Sequence, residues 1–311
     1  MLVAGTATKS LGNEIAEHLG LSLGKYERTI FPNENIFIRL EESMRGQDVY
    51  VIQSMCSPLH ESIFELMILI DTIKRDSAAR VTVVVPYLAY GRSDKKDQPR
   101  VGIAARMIAD MLQVVGASRY MTLDLHSGQI QGFFSIPGDA LTAFYLLSDH
   151  VESRKIENLV VVSTDLGFAK HARNWAEKMD APLTIIEKRR TGNDATAEAL
   201  SIIGDVRDKN VLLVDDEVLT GGSIASAVEL VRREGAKDVY LAFTHSILSG
   251  EGVERLASLR VKEIITTNTV PMSEDKRKLL PNMTVLSVAP MLGEVILRAN
   301  QGRSVGELFH E

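Results

Sequence analysis

The chain has 311 residues, 45% of them apolar and 24% charged, the make-up of a folded globular protein with material for two cores. Its formal net charge of −6 argues against a nucleic-acid or anionic-membrane partner, since both demand a basic surface. The single cysteine, Cys56, excludes an intrachain disulfide and fits a reducing compartment; no apolar run approaches the roughly 18 residues of a membrane helix and no secretory leader is recognisable, so a cytoplasmic location is expected.

Residues 1–3 read as an opening strand and 10–19 as a helix. From Tyr26 to Leu40, two β-like pieces flank the turn Phe31-Pro32-Asn33-Glu34-Asn35. Residues 49–53 form a short apolar strand, and 59–74 carry apolar side chains at helical three-and-four spacing. A buried strand at 80–86 leads into the charged loop Tyr87 to Lys96, then a helix at 103–115 and a strand at 120–125. Strands alternating with helices predict a mostly parallel sheet covered on both faces.

The second half repeats this alternation, with strands at 159–163, 183–187, 211–214, 239–243 and 263–267 and helices at 169–179, 224–233 and from 251 onward. A local echo suggests two copies of one domain: Gly116-Ala117 and its strand ending near His126 align at a constant offset with Gly235-Ala236 and its strand ending at His245. The boundary is expected between 140 and 152.

The most informative stretch runs from Val211 through Asp215 and Asp216 to Leu219-Thr220-Gly221-Gly222-Ser223 and the helix beyond. Glycines bare backbone N–H groups at the positive end of a helix, and Thr220 and Ser223 add hydroxyls, so the loop suits one phosphate. The two carboxylates beside it suit sugar hydroxyls, which together means a sugar phosphate, with Mg²⁺ nearby if more phosphate is present. An ordinary Asp-rich βα turn before a capped helix is the plain alternative. His126, at a strand exit, is either a metal or phosphate ligand or simply a hydrogen-bonded strand cap. Asp165, in Ser163-Thr164-Asp165, is either a Mg²⁺ ligand or a helix N-cap. The cations Lys188, Arg189 and Arg190 precede a Gly-Asn turn and form either a solvated run or a lid that brings charge to a migrating phosphoryl group. Arg92, Asp94, Lys95 and Lys96 make a second basic loop of the same ambiguity. Walker and Rossmann glycine patterns, zinc spacings and a Gly-x-Ser-x-Gly elbow are all absent.

Taken together, Glu42-Ser43-Met44-Arg45-Gly46-Gln47-Asp48, Asp124-Leu125-His126 with Gln129 to Phe134, Lys188-Arg189-Arg190, the loop after Asp215, Thr244-His245 and Ser287-Val288-Ala289-Pro290 make the chain resemble the ribose-phosphate pyrophosphokinase family almost end to end. The resemblance implies an α/β fold of two similar type I phosphoribosyltransferase-like domains, residues 1–145 and 146–286, each a mostly parallel sheet flanked by helices, with 287–311 packing back on the first. It implies Mg²⁺-dependent transfer of the ATP diphosphoryl group to the anomeric hydroxyl of ribose 5-phosphate by a homo-oligomer, a dimer or hexamer. By the same resemblance Phe31, Asn33 and Asn35 would meet adenine from a neighbouring subunit, and Arg92, Ser93 and Asp94 would contact ATP. His126 and Asp165 would help hold Mg²⁺, Lys188 and Arg190 would act on the migrating group, Asp215 and Asp216 would take the ribose hydroxyls, and Thr220, Gly221, Gly222 and Ser223 the 5-phosphate.

Several positions depart from the family's usual pattern: Leu219 stands where an acid is common, Asn35 where Glu is, Ser93 where Gln is, Phe168 where Gly is and His171 where Arg is. These changes cluster at the site, so two other expectations stand beside the diphosphokinase: a non-catalytic regulatory paralogue binding the same ligands, and a diphosphokinase for a larger ribose-phosphate derivative.

Overall fold

The computed structural model describes residues 1–190 and 198–309, with backbone alone at 188–190, 198–200 and 309. It divides into two compact units: Met1–Thr142 with Thr269–Pro271 and Ser287–Glu311, and Ala143–Asn268 with Met272–Leu286.

In the first unit the chain runs β1 (Leu2–Ala4), α1 (Lys9–His18), β2 (Tyr26–Ile30), β3 (Ile36–Leu40), β4 (Asp48–Ile52), α2 (Leu59–Arg75), β5 (Arg80–Val85), α3 (Ala104–Val114), β6 (Arg119–Leu123) and β7 (Gly138–Leu141). The sheet is parallel throughout in the order β1-β4-β5-β6-β7, while β2 and β3 form a separate antiparallel hairpin. Val81, Val83, Val84 and Val85 are almost wholly buried, as expected of a parallel strand covered on both faces. The buried Glu65 of α2 ties these elements together. Its carboxylate accepts from Thr6 Oγ1 at 2.6 Å, Gln53 Nε2 at 2.9 Å and Tyr26 Oη at 3.0 Å, and pairs with Arg28 Nε at 3.3 Å. A carboxylate this deep persists because each oxygen is answered. The C-terminal helix Ala289–Asn300 lies on α1 in this unit, so close that a Cβ on Gly293 would sit 2.6 Å from His18 Cδ2.

The second unit contains α4 (Phe144–Ser153), β8 (Leu159–Ser163), α5 (Ala169–Lys178), β9 (Leu183–Arg190), β10 (Glu198–Ile203), β11 (Asn210–Val218), α6 (Gly222–Arg233), β12 (Val239–Ser246), α7 (Gly252–Ser258), β13 (Glu263–Thr267), α8 (Glu274–Leu279) and β14 (Met283–Leu286). Among the described residues its sheet has the order β10-β9-β8-β11-β12-β13-β14, parallel except for β10 at the edge. Residues of α6 and α7, among them Ile224, Val228, Val231, Val253 and Leu256, pack one face of the sheet into a buried apolar cluster. α4 is clamped by Arg154 Nη2 to Glu263 at 2.6 Å and by Phe144 edge-on to Trp175, with ring centroids 5.4 Å apart.

The sheet orders correct the register of the repeat. The echo pairs β6 with β12, but β12 is the strand after β11, as β5 is after β4, so β12 matches β5 and β6 matches β13. Gly-Ala before a strand is a common helix exit, and it recurs one βα unit out of step. In the correct register, α4 follows β7 as the C-terminal helix follows β14, so the last helix of each half belongs to the other half's unit.

Candidate active site

The organising element is the junction of β8, β11 and α6. From β8 the chain crosses by α5 to β9 on one side, whereas from β11 it crosses by α6 to β12 on the other. The crevice beyond the C-terminal ends of β8 and β11 is therefore the topological switch point, where open α/β sheets bind ligands. Both loops singled out in the sequence open there: Thr164 to Phe168 after β8, and Leu219 to Ser223 after β11.

β11 runs further than expected. It pairs with β8 only as far as Val214–Ser163 but stays with β12 to Val218, so both acids lie within the strand, on its half-released end. Asp215 Oδ2 accepts from Thr164 Oγ1 at 2.8 Å and Oδ1 from the Asp216 N–H at 2.9 Å. Burial, the neighbouring charge of Asp216 and a hydrogen bond to it hold the Asp215 carboxyl well above the usual carboxylate range.

Gly221 is the N-cap of α6 in the left-handed region, at φ 71°. The glycine takes the left-handed turn that leads the chain into α6, whose first-turn N–H groups point out of the helix, where a phosphate would be met by amide hydrogens and the positive helix end. The loop's outer side is fixed. Arg255 Nη1 donates to the Thr220 carbonyl at 2.6 Å, the Ser249 N–H donates to the Leu219 carbonyl at 2.9 Å, and a Cβ on Gly252 would lie 3.0 Å from that same carbonyl. Sequence reasoning passed over Arg255, whose contact depends on the return of α7, and over Thr164, which only its place beside Asp165 could have marked.

Asp165 is not the N-cap of α5, which is Phe168; its Oδ1 accepts from the Phe168 N–H at 2.9 Å across the turn ahead of the helix. Oδ2 carries no hydrogen bond among the described residues. The Phe168 ring stacks on His171, centroids 5.2 Å apart, flanking this turn. Among the described residues no three His, Cys, Asp or Glu side chains form a metal cage. Mg²⁺ needs none, because it keeps several waters and takes one or two carboxylate oxygens together with substrate phosphates, which the open Oδ2 of Asp165 suits. The side chains of Lys188 and Arg190 lie outside the described residues; their backbone belongs to β9, paired with β10, rather than to a loop.

In the first unit, two distant motifs come together. Gln129 Nε2 donates to Asp94 Oδ2, and a Cβ on Gly91 would approach His126 Cβ to 3.1 Å. Asp94 is buried and its carboxylate is taken by Gln129; Ser93 is half-buried, Arg92, Lys95 and Lys96 of that loop are exposed, and His126 is exposed beside it. The hairpin tip holds Phe31 and Phe37 with centroids 5.8 Å apart, both largely exposed. Asn33 Oδ1 accepts from the Asn35 N–H at 3.3 Å, which shapes the turn.

Comparison with known proteins agrees over the whole chain. Residues 1–116 match the N-terminal domain of ribose phosphate pyrophosphokinase, and residues 194–310 match the phosphoribosyl synthetase-associated domain. The chain is 44% identical to ribose-phosphate pyrophosphokinase 1, chloroplastic, of Oryza sativa subsp. japonica, over 98% of its own length and 77% of that protein's. It is 42% identical to the ribose-phosphate pyrophosphokinase of a Nostoc species, over 99% and 93%. The crystal structure of phosphoribosylpyrophosphate synthetase from Mycobacterium smegmatis superposes with a TM-score of 0.92 at 41% identity, covering 97% of this chain and 99% of that one. With fold, motif order and near-complete coverage in agreement, the chain belongs to the ribose-phosphate pyrophosphokinase family.

Proposed function

We propose that the protein transfers the diphosphoryl group of ATP to the anomeric hydroxyl of ribose 5-phosphate, releasing AMP, and that it works as a Mg²⁺-dependent homo-oligomer in the cytoplasm. The observation that carries this reading is the left-handed Gly221 at the N-terminus of α6, set at the switch point next to Asp215 and Asp216. The loop Thr220 to Ser223 grips the 5-phosphate by backbone amides and hydroxyls, and the acid pair takes the ring hydroxyls, which fixes the anomeric oxygen for in-line attack. Arg92 and Ser93 hold the ATP phosphates, with Asp94 supporting their loop through Gln129. Phe31, with Asn33 and Asn35, stacks on and edges the adenine. Lys188 and Arg190, carried on β9, neutralise the charge that shifts to the leaving AMP and the migrating group. Asp165 and, in the other unit, His126 are each candidates to hold Mg²⁺, which when bound would supply charge neutralisation to the substrate phosphates.

A second reading, a diphosphokinase for a larger ribose-phosphate derivative, is favoured by the stacked Phe168 and His171 beside Asp165, which offer a flat surface to an acceptor bearing a ring. Incubation with Mg²⁺, ATP and ribose 5-phosphate tests both: AMP formed in step with phosphoribosyl diphosphate supports the first. AMP formed only with a larger acceptor supports the second. Bound ribose 5-phosphate without AMP at high enzyme concentration makes the protein a regulatory binder.

A further inference from the structure

Thr164 has no role in the reading above, yet it occupies a place where one side chain decides the geometry of the sugar site. The backbone ladder between β8 and β11 ends at Ser163 and Val214. The next link across the gap is the Thr164 hydroxyl, which donates to Asp215 Oδ2 at 2.8 Å. Thr164 is 2% exposed, so water does not readily replace that donor. Asp215 Oδ1 is held by the Asp216 N–H at 2.9 Å. With both oxygens engaged, the Asp215 carboxyl has a single orientation, and the adjoining Asp216 is set against it.

We propose that Thr164 is a positioning residue for the sugar: its hydroxyl bridges β8 and β11 past their last rung and locks Asp215, so that the acid pair meets the ribose hydroxyls in one pre-set geometry. This rests on the reading of Asp215 and Asp216 as the sugar-hydroxyl acceptors. A hydroxyl that only filled space could be replaced by a methyl group, since Thr and Val have nearly the same shape. A hydroxyl that orients a carboxyl cannot, because the buried acceptor then loses its donor.

The test compares Thr164→Val with Thr164→Ser in the full-length protein, reading ribose 5-phosphate affinity by calorimetry and KM and kcat by AMP release. Thr164→Val is expected to weaken ribose 5-phosphate binding and raise its KM about tenfold, the upper end of the loss of one buried hydrogen bond, with the KM for ATP unchanged. Thr164→Ser, which keeps the donor, is expected to stay within about twofold of wild type. In an Asp215→Asn background Thr164→Val should add little, since the target of the bridge is altered. Equal losses in the Val and Ser variants, or a Val variant indistinguishable from an active wild type, overturn the role of Thr164 alone. If Thr164→Val does not fold, the Ser variant and the Asp215→Asn cycle with Thr164→Ala carry the same comparison. A wild-type protein that binds no ribose 5-phosphate overturns the acid-pair reading and this inference with it.

Discussion

Substituting Gly221 by Ala probes the phosphate loop by a single methyl group. Gly221 sits at φ 71°, where a Cβ costs roughly 1–2 kcal/mol. The added carbon would also lie 2.7 Å from Leu256 Cδ1, well inside the roughly 3.5–4.0 Å of an ordinary carbon contact. Leu256 cannot retreat easily, being 1% exposed within the cluster formed by α6, α7 and the sheet. Overpacking of such a site costs typically 1–3 kcal/mol, so Gly221→Ala is expected to destabilise the protein by roughly 2–5 kcal/mol in urea unfolding. The loop, pinned by Arg255 and Ser249, has little freedom to relieve the contact without tilting the first-turn amides, so ribose 5-phosphate affinity should fall about tenfold as one charge-assisted hydrogen bond is lost. The double variant Gly221→Ala/Leu256→Ala should be less destabilised than the sum of the single ones, because shortening Leu256 removes the clash and leaves only the backbone cost. A change in stability below about 0.5 kcal/mol with affinity unchanged would refute both the left-handed assignment and the crowding at this loop.

Asp215 holds its proton more tightly in the folded protein than in the unfolded chain, where an Asp titrates near 3.9. The stability it contributes is therefore present at low pH and is lost as pH rises through its elevated folded value; Asp215→Asn does not titrate. Melting temperatures of wild type and Asp215→Asn between pH 4 and 8 should shift in favour of the variant as pH rises, and a pH-independent difference would contradict the assignment. Lys188→Ala is expected to lower kcat by orders of magnitude with little change in ribose 5-phosphate affinity, because a cation that answers migrating charge acts on the transition state; a matching loss of ground-state binding in calorimetry would count against it. Burial pushes the Cys56 thiol up to about 11, so its reaction with a disulfide reagent at pH 8 should be slow in the native protein and follow unfolding in denaturant. Rapid native-state labelling would show that the residue is accessible.

Much of the fold was legible as pattern. Valine-rich runs such as β5 and β11 and the three-and-four spacing of α2 mark buried parallel strands and their covering helix, since burial on one stripe or on both faces leaves its period in the sequence. The turn of the β2–β3 hairpin and the glycine-rich start of α6 were equally plain, because their backbone conformations demand particular residue types. Elements with weaker marks escaped: β7 has four residues, α8 six, and β10 is an edge strand paired only with β9.

The sequence by itself determined which chemical groups are available: an acid pair, a phosphate-sized amide loop, two cationic stretches and an exposed aromatic hairpin tip. These follow from residue type and near-neighbour order, which are local properties. Only the tertiary structure decided that the acid pair lies within β11 rather than after it, that Asp94 is spent on Gln129, that Arg255 braces the loop and that Thr164 reaches Asp215. Each of these depends on which strands are neighbours and where their pairing stops. No local pattern records that, because strand order is set by how whole helices and sheets bury their apolar faces against one another.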